Sequence, residues 1–289
     1  MALTEFASIS PARRRRDRIM RGVLFAGTIV ALIPLVLVVY YLISKGASSL
    51  NTKFFTTDPT GAFFGNQGGV RSAILGTLEI VALASLIAIP LGIGVALFLT
   101  EYGKESRFAN VVRYFIDVMT GVPSIVFGLF VYIVLVTSHF GGDFTGWKGS
   151  IALSLLMLPI VVRAAEVVLM LVPNSLREAA LALGAPRWRV ISKVVLPTAA
   201  PGLVTGSLLA IARGMGETAP LLFTVSVAFG ATADLGAQMN TLPVQIFNDI
   251  GSPNATLNNR AWGAALTLVA LVLILNLIAR AVSRRSQMA

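Results

Sequence analysis

Cysteine is missing from this 289-residue chain, and histidine occurs once, at His139. The first absence excludes a disulfide scaffold, thiol chemistry and Cys-ligated metal; the second leaves no imidazole pair for a metal site. Charge is scarce too. Asp, Glu, Lys and Arg make up 12% of the residues, against about 25% in soluble domains. The one Gly-Lys pair is Gly103-Lys104, and no G-x-x-x-x-G-K-[ST] occurs, so the chain carries no nucleotide-binding P-loop. What is abundant is apolar: 56% of the residues are hydrophobic and mean hydropathy is +0.82. This composition excludes disorder, collagen and an ordinary soluble enzyme, and leaves a protein of the bilayer.

Six runs are long enough to cross a membrane: Gly22 to Ile43, Ala73 to Thr100, Val118 to Val136, Ser150 to Val172, Gly202 to Phe229 and Trp262 to Ala279. The first is uncharged, 22 residues long and follows Arg13 to Arg16; this length and the lack of a clear A-x-A site point to an uncleaved anchor rather than a signal peptide. With the N-terminus inside, the inner segments hold 16 Lys and Arg and the outer ones 5. That asymmetry puts both termini in the cytoplasm and makes the net charge of +10 mostly a topology signal, not a mark of nucleic-acid binding. The expected organisation is a basic N-terminus (1–21), an anchor helix and outer loop (22–72), a core (73–280) and a short tail (281–289). Beyond the fifth span, Leu242, Val244, Ile246 and Phe247 read as a short amphipathic helix on the outer face. Asn254-Ala255-Thr256 matches a glycosylation sequon, a weak signal.

Charges inside spans are costly and mark protein interiors or polar cavities. Arg163 and Arg213 lie about 14–17 Å deep by residue count, on consecutive antiparallel spans, so both are expected at one level. Glu166 stands at i+3 from Arg163 and Glu217 at i+4 from Arg213, each on its arginine's helix face. Two readings fit: ion pairs that only lower the burial cost, or a transient anion site built on the planar guanidinium fork. Glu79 lies about 9 Å from the outer end of the second span; it is a possible pathway residue or an interfacial one. Pro90, Pro123 and Pro159 are expected to kink their spans.

The cytoplasmic segment 173–197 is the most informative. Ser175 to Glu178 fits a capping box, opening a helix Leu176 to Leu183. Gly184 suits the position after that helix, where φ is often positive. Pro186 suits the first turn of a second helix, Pro186 to Leu196, which Pro197 stops. Two short helices pinned between spans make a docking element for a cytoplasmic partner, with Ala179, Ala180 and Ala182 allowing close approach and Arg187, Trp188 and Arg189 supplying an interface cluster.

Glu178-Ala179-Ala180, then Gly184, then Val194 and Leu196-Pro197, resembles the E-A-A-x3-G-x9-I-x-L-P loop of ABC importer permeases, with Val194 in place of Ile. Four further stretches, "GVPSIVFGLF" (121–130), "PIVVRAAEVVLMLVP" (159–173), "ARGMGETAPLLFT" (212–224) and "LPVQIFN" (242–248), resemble the A-type membrane subunit of phosphate-specific (Pst) importers. The resemblance covers roughly residues 70 to 280. It implies an all-α polytopic protein with six transmembrane helices and the type I ABC importer permease fold, in a bacterial inner membrane.

It also implies half of a translocation pathway for inorganic phosphate. A sister permease would complete the pathway as a heterodimer. Two ATPase subunits would drive it, one docking on this chain at Glu178, Ala179, Ala180, Gly184, Arg187, Leu196 and Pro197, and an extracytoplasmic phosphate-binding protein would deliver the substrate. No enzyme activity and no cofactor are expected of this chain, ATP and Mg residing on the ATPase; membrane lipid would surround it. A mixed Arg/Glu site favours phosphate, which carries a proton near neutral pH, over sulfate, which does not. The competing readings are an ABC permease for sulfate or molybdate, an ion-driven secondary transporter, for which no internal repeat is seen, and a membrane scaffold, which leaves the paired intramembrane charges unused.

Overall fold

The computed structural model describes residues 11–60, 68–103, 106–137 and 142–286; His139 lies outside them. The first helix, α1 (Pro11–Gly46), is apolar on all sides from Gly22 to Ile43, after its basic first turns, and stands almost free of the rest. It is anchored near its C-terminal end, where the Tyr41 and Trp262 rings lie 5.8 Å apart. After the short α2 (Thr52–Thr56) comes α3 (Arg71–Leu97), whose last turn widens into a π turn, Phe98–Tyr102.

The expected third span is instead two helices, α4 (Arg107–Gly121) and α5 (Ser124–Val131, extended by a π turn to Val136), bent by 102°. The break has a covalent cause. A residue before proline is driven out of the helical region, and Val122 has φ −72° and ψ 129°. Pro123 therefore ends one helix and starts another rather than kinking a continuous span.

Helix α6 (Gly146–Met170) is the centre of the molecule, packed by α3 and by α9 (Leu196–Gly216). Its buried residues include Leu153, Met157, Val161 and Ala165. Close approach is made possible by glycine, as at membrane helix contacts generally. A Cβ on Gly202 would stand 2.5 Å from Val168 Cγ1, one on Gly206 2.6 Å from Ala164 Cβ, and one on Gly214 2.9 Å from Met157 Sδ. These pairs fix an antiparallel register. They also show that α9 ends at Gly216 well short of the Gly146 end of α6, by about 12 Å at 1.5 Å per residue. The expected fifth span to Phe229 thus does not form: Glu217 is extended (φ −78°, ψ 124°) and only the one-turn α10 (Ala219–Leu222) follows.

Two further helices close the fold, α11 (Leu242–Ile250) and α12 (Ala255–Ser286). The short helix foreseen at 242 is present, but Phe247 faces outward, and Gln245 and Asp249 are buried in its place. Arg260 grips Asp249 with two bonds of 2.7 and 2.8 Å, and Gln245 Nε2 donates to Asp249 at 2.7 Å. Asn254 caps α12: its Oδ1 accepts from the Thr256 backbone N–H at 2.9 Å. Among the described residues, five helical runs are long and apolar enough to cross a membrane, and the bent α4–α5 pair, counted as one, makes six.

The loop after α6 contains α7 (Asn174–Ala182) and α8 (Arg187–Val190). Ser175 is not the cap: it lies inside α7, which Pro173 opens without a side-chain cap bond. Gly184 does have positive φ, at 79°. Pro197 does not stop the second helix. A π turn, Ile191–Val195, precedes it, and the helix continues through Pro197 in the first turn of α9. The wider turn accommodates a ring that would clash with the carbonyl of an ordinary α turn.

Candidate functional site

Charged side chains foreseen within the spans are brought into two groups. In the first, Arg163 Nη1 donates to Glu166 Oε2 at 2.7 Å, confirming the i+3 pairing. Two partners come from α4: Arg113 Nε donates to Glu166 Oε1 at 2.8 Å, and Arg163 also bonds Asp117. Arg113 Nη2 goes on to the Leu99 carbonyl at 2.9 Å. Glu166 is buried, with its side chain 5% exposed, whereas Arg163 is 34% and Asp117 60% exposed. The result is a neutral chain Arg113–Glu166–Arg163–Asp117 whose outer members stay accessible. Each buried carboxylate oxygen has a guanidinium partner, which is what keeps a buried charge tolerable.

The second group is Arg213 and Glu217, paired at 3.0 Å. The arginine is 59% exposed and the glutamate 14%. Both line a cavity of about 790 Å³ between α4, α5, α6 and α9, with Thr120 and Ser124 as its other polar lining residues. Ser124 is the first residue of α5. The first N–H groups of a helix have no intrahelical acceptor, and its dipole is positive there. A guanidinium and a helix N-terminus thus line one space with a carboxylate beside them, while the Thr120 hydroxyl donates to the Asp117 carbonyl at 2.6 Å. Such a set suits a tetrahedral oxyanion that retains one proton: arginine and N–H groups donate to bare oxygens, and the carboxylate accepts from the protonated one.

The two groups are not at one level, contrary to the residue-count expectation. The α6–α9 register pairs Gly206 with Ala164 and Gly214 with Met157. Arg163 is therefore offset from Arg213 by about six residues, roughly 9 Å along the axis, towards the α7–α8 loop. Arg213 lies at the middle of α6, and α4 links the tiers, with Asp117 in one and Thr120 in the other. Glu79 belongs to neither. It is half-buried on α3, with Oε2 lacking a hydrogen-bond partner, and does not line the cavity.

In the loop, Glu178, Ala179 and Arg187 face outward, and α7 buries no residue of its own. Trp188 is 60% exposed, with the Arg189 guanidinium 5.2 Å from its ring centre. Ala180 and Leu196 turn inward and pack against a core cluster that includes Leu169, Val190 and Val195. Among the described residues, no group of three or more Asp, Glu, His or Cys is placed to hold a metal ion.

Residues 88–287 match the family described as binding-protein-dependent transport system inner membrane component. The chain is 43% identical over 273 residues to the phosphate transport system permease protein PstA of Yersinia pestis, covering 93% of this chain and 90% of that one. It is 39% identical to phosphate transport system permease protein PstA 1 of Mycobacterium tuberculosis H37Rv, covering 95% and 89%. Among solved structures, a bacterial alginate ABC transporter in complex with its alginate-bound periplasmic protein has a chain of the same fold (TM-score 0.66, 18% identity, 94% of this chain and 96% of that one). So does the inward-facing MetNI methionine ABC transporter (TM-score 0.60, 21% identity, 75% and 94%). The fold and these matches agree, and the chain belongs to the inner-membrane components of binding-protein-dependent transport systems and, within them, to the PstA permeases.

Proposed function

We propose that this chain is one membrane half of an ATP-driven importer of inorganic phosphate. The observation that carries the reading is the cavity where Arg213, Glu217, Thr120 and the N-terminus of α5 meet at the middle of α6. Broken helices aimed at a midplane site are a recurrent way to hold an anion in a membrane. A second tier at Arg163 and Glu166 lies towards the docking loop, so the substrate would meet Arg213 first and Arg163 next on its way inward. That direction rests on the 16-to-5 distribution of Lys and Arg, which supports a cytoplasmic loop and cytoplasmic termini.

A sister permease supplies the other half of the path, one of two ATPase subunits docks on this chain at Glu178, Ala179, Ala180, Gly184 and Arg187, and a phosphate-loaded binding protein delivers from outside. ATP and its metal belong to the ATPase, and this chain holds no cofactor. Transport then follows alternating access, in which binding-protein docking and ATP shift the spans between outward and inward states.

The test is uptake of labelled phosphate by proteoliposomes holding the full complex and its binding protein, with sulfate and molybdate as competing substrates. Uptake of phosphate that requires ATP supports the reading. Selective uptake of sulfate or molybdate would reassign the cargo, and uptake without ATP would remove the ABC mechanism.

A further inference from the structure

Helix α7 faces the docking partner but has no buried residue to hold it in place. Besides the packing of half-buried Ala180 on the core cluster, it is attached through one side chain, Arg177. Nη2 and Nε donate to Glu101 Oε1 at 2.8 and 3.1 Å. Nη1 donates to the Val172 carbonyl at 2.5 Å and Nη2 to the Leu169 carbonyl at 2.9 Å. The last two acceptors are at the C-terminal end of α6, where carbonyls lack helical partners and a cation is favoured. Arg177 and Glu101 are 17% and 11% exposed, so the pair is well shielded from water and salt.

Glu101 sits in the π turn Phe98–Tyr102 that ends α3. The same turn is gripped a second time. Arg113 Nη2 donates to its Leu99 carbonyl at 2.9 Å while Nε holds Glu166 at 2.8 Å. One five-residue turn therefore receives an arginine from the docking helix and an arginine from the Arg163–Glu166 tier. π turns are single-turn irregularities often found at functional sites.

We propose that the π turn Phe98–Tyr102 is the junction that couples the α7 docking helix to the intramembrane charge site, with Arg177–Glu101 as its input and Arg113–Leu99 as its output. The proposal rests on the reading of α7 as the ATPase docking helix. Movement of α7 draws on Glu101 and shifts the turn. The turn then changes the position of Arg113, and so the hold on Glu166 that leaves Arg163 free or occupied. Arg177 and Glu101 are positioning residues and touch no substrate.

Glu101→Ala cuts the input while leaving Arg177 on its α6 carbonyls. In the assembled complex, phosphate imported per ATP hydrolysed is expected to fall at least ~10-fold, the scale of an ordinary coupling free energy, with ATPase subunits still bound and still hydrolysing. Glu101→Asp, which keeps the charge, should recover part of the ratio. A second readout needs no substrate: Thr120→Cys in this cysteine-free chain should change its rate of thiol labelling on ATP addition, and should lose that change when combined with Glu101→Ala.

An unchanged import-to-ATP ratio in Glu101→Ala would overturn the junction. So would loss of ATPase binding in that variant, which would make the pair a brace for the loop. Failure of the wild-type complex to import phosphate would count against the proposed cargo alone, and the labelling response would still decide the junction.

Discussion

Gly206 of α9 faces Ala164 of α6 so closely that a Cβ on the glycine would stand 2.6 Å from the alanine Cβ. Ala164 is the neighbour of Arg163, so the seam that brings the helices together also sets the depth of the Arg163–Glu166 tier. Gly206→Ala should already force the helices apart, at a cost of about 1–3 kcal/mol for overpacking. The expected result is a lower unfolding temperature of the purified complex and reduced uptake. An unaltered melting profile would mean that α6 and α9 do not pack at this distance.

The roles of Arg213 and Glu217 separate on neutralising both. If the pair at 3.0 Å served only to compensate its own charge, Arg213→Gln with Glu217→Gln would be tolerated. As a substrate site it should not be. The double variant is expected to assemble and hydrolyse ATP but not import phosphate, and Arg213→Lys should be impaired because the planar fork is lost. Recovery of uptake in the double variant would withdraw the pair from the pathway, and the same comparison applies to Arg163 with Glu166.

At Gly184 the difficulty for a side chain is the backbone and not space: φ is 79° and no atom lies within 4 Å of the point a Cβ would occupy. Asparagine tolerates this conformation better than most residues, whereas a β-branched residue is strained there by roughly 1–2 kcal/mol. Gly184→Asn should therefore keep stimulation of the ATPase and Gly184→Val should lose much of it, both inserting normally. Equal behaviour of the two would show that the turn between α7 and α8 is not what docking reads.

On the opposite side of the molecule, Asp249→Asn would leave Arg260, 3% exposed, without its carboxylate. Removing one member of a buried pair costs about 3–5 kcal/mol, so the unfolding temperature should drop clearly. Asp249→Leu with Arg260→Met should regain much of it, because no lone charge remains. Thermal unfolding of the three forms checks both statements.

Much of the architecture is legible in the sequence because bilayer chemistry is demanding. An uninterrupted apolar run can hardly be anything but α1, and Arg163 with Glu166 must share a face at i+3. The α4 contribution is not legible. Arg113 and Asp117 look like residues of an inner connection and the edge of a span, and their partners lie 53 and 46 positions away. Pro123 is visible, but its effect depends on whether the chain straightens after Val122, which packing decides: Gly128 lets α5 settle against Pro220, where a Cβ would stand 2.5 Å from the proline Cα. Depth by residue count fails at Arg163 because Gly202, from which the Arg213 count runs, faces Val168 and not the end of the preceding span, so similar counts from loop boundaries do not mean equal heights. Glu101 could be suspected only from its place at the end of a long span, facing a loop rich in arginine.

Helix α5 starts at the cavity and is too short to insulate the full thickness of the membrane. From Ser124 to Val136 α5 covers about 20 Å at 1.5 Å per residue, against a hydrocarbon layer of ~30 Å. Water filling the cavity beside Arg213, Glu217, Thr120 and Ser124 would carry field lines far better than lipid does. A membrane potential therefore falls across a thinner wall here than elsewhere in the bilayer, and the local gradient is steeper by about half. On the proposed reading, an anion entering this wall would meet its electrical work over a short stretch next to Arg213.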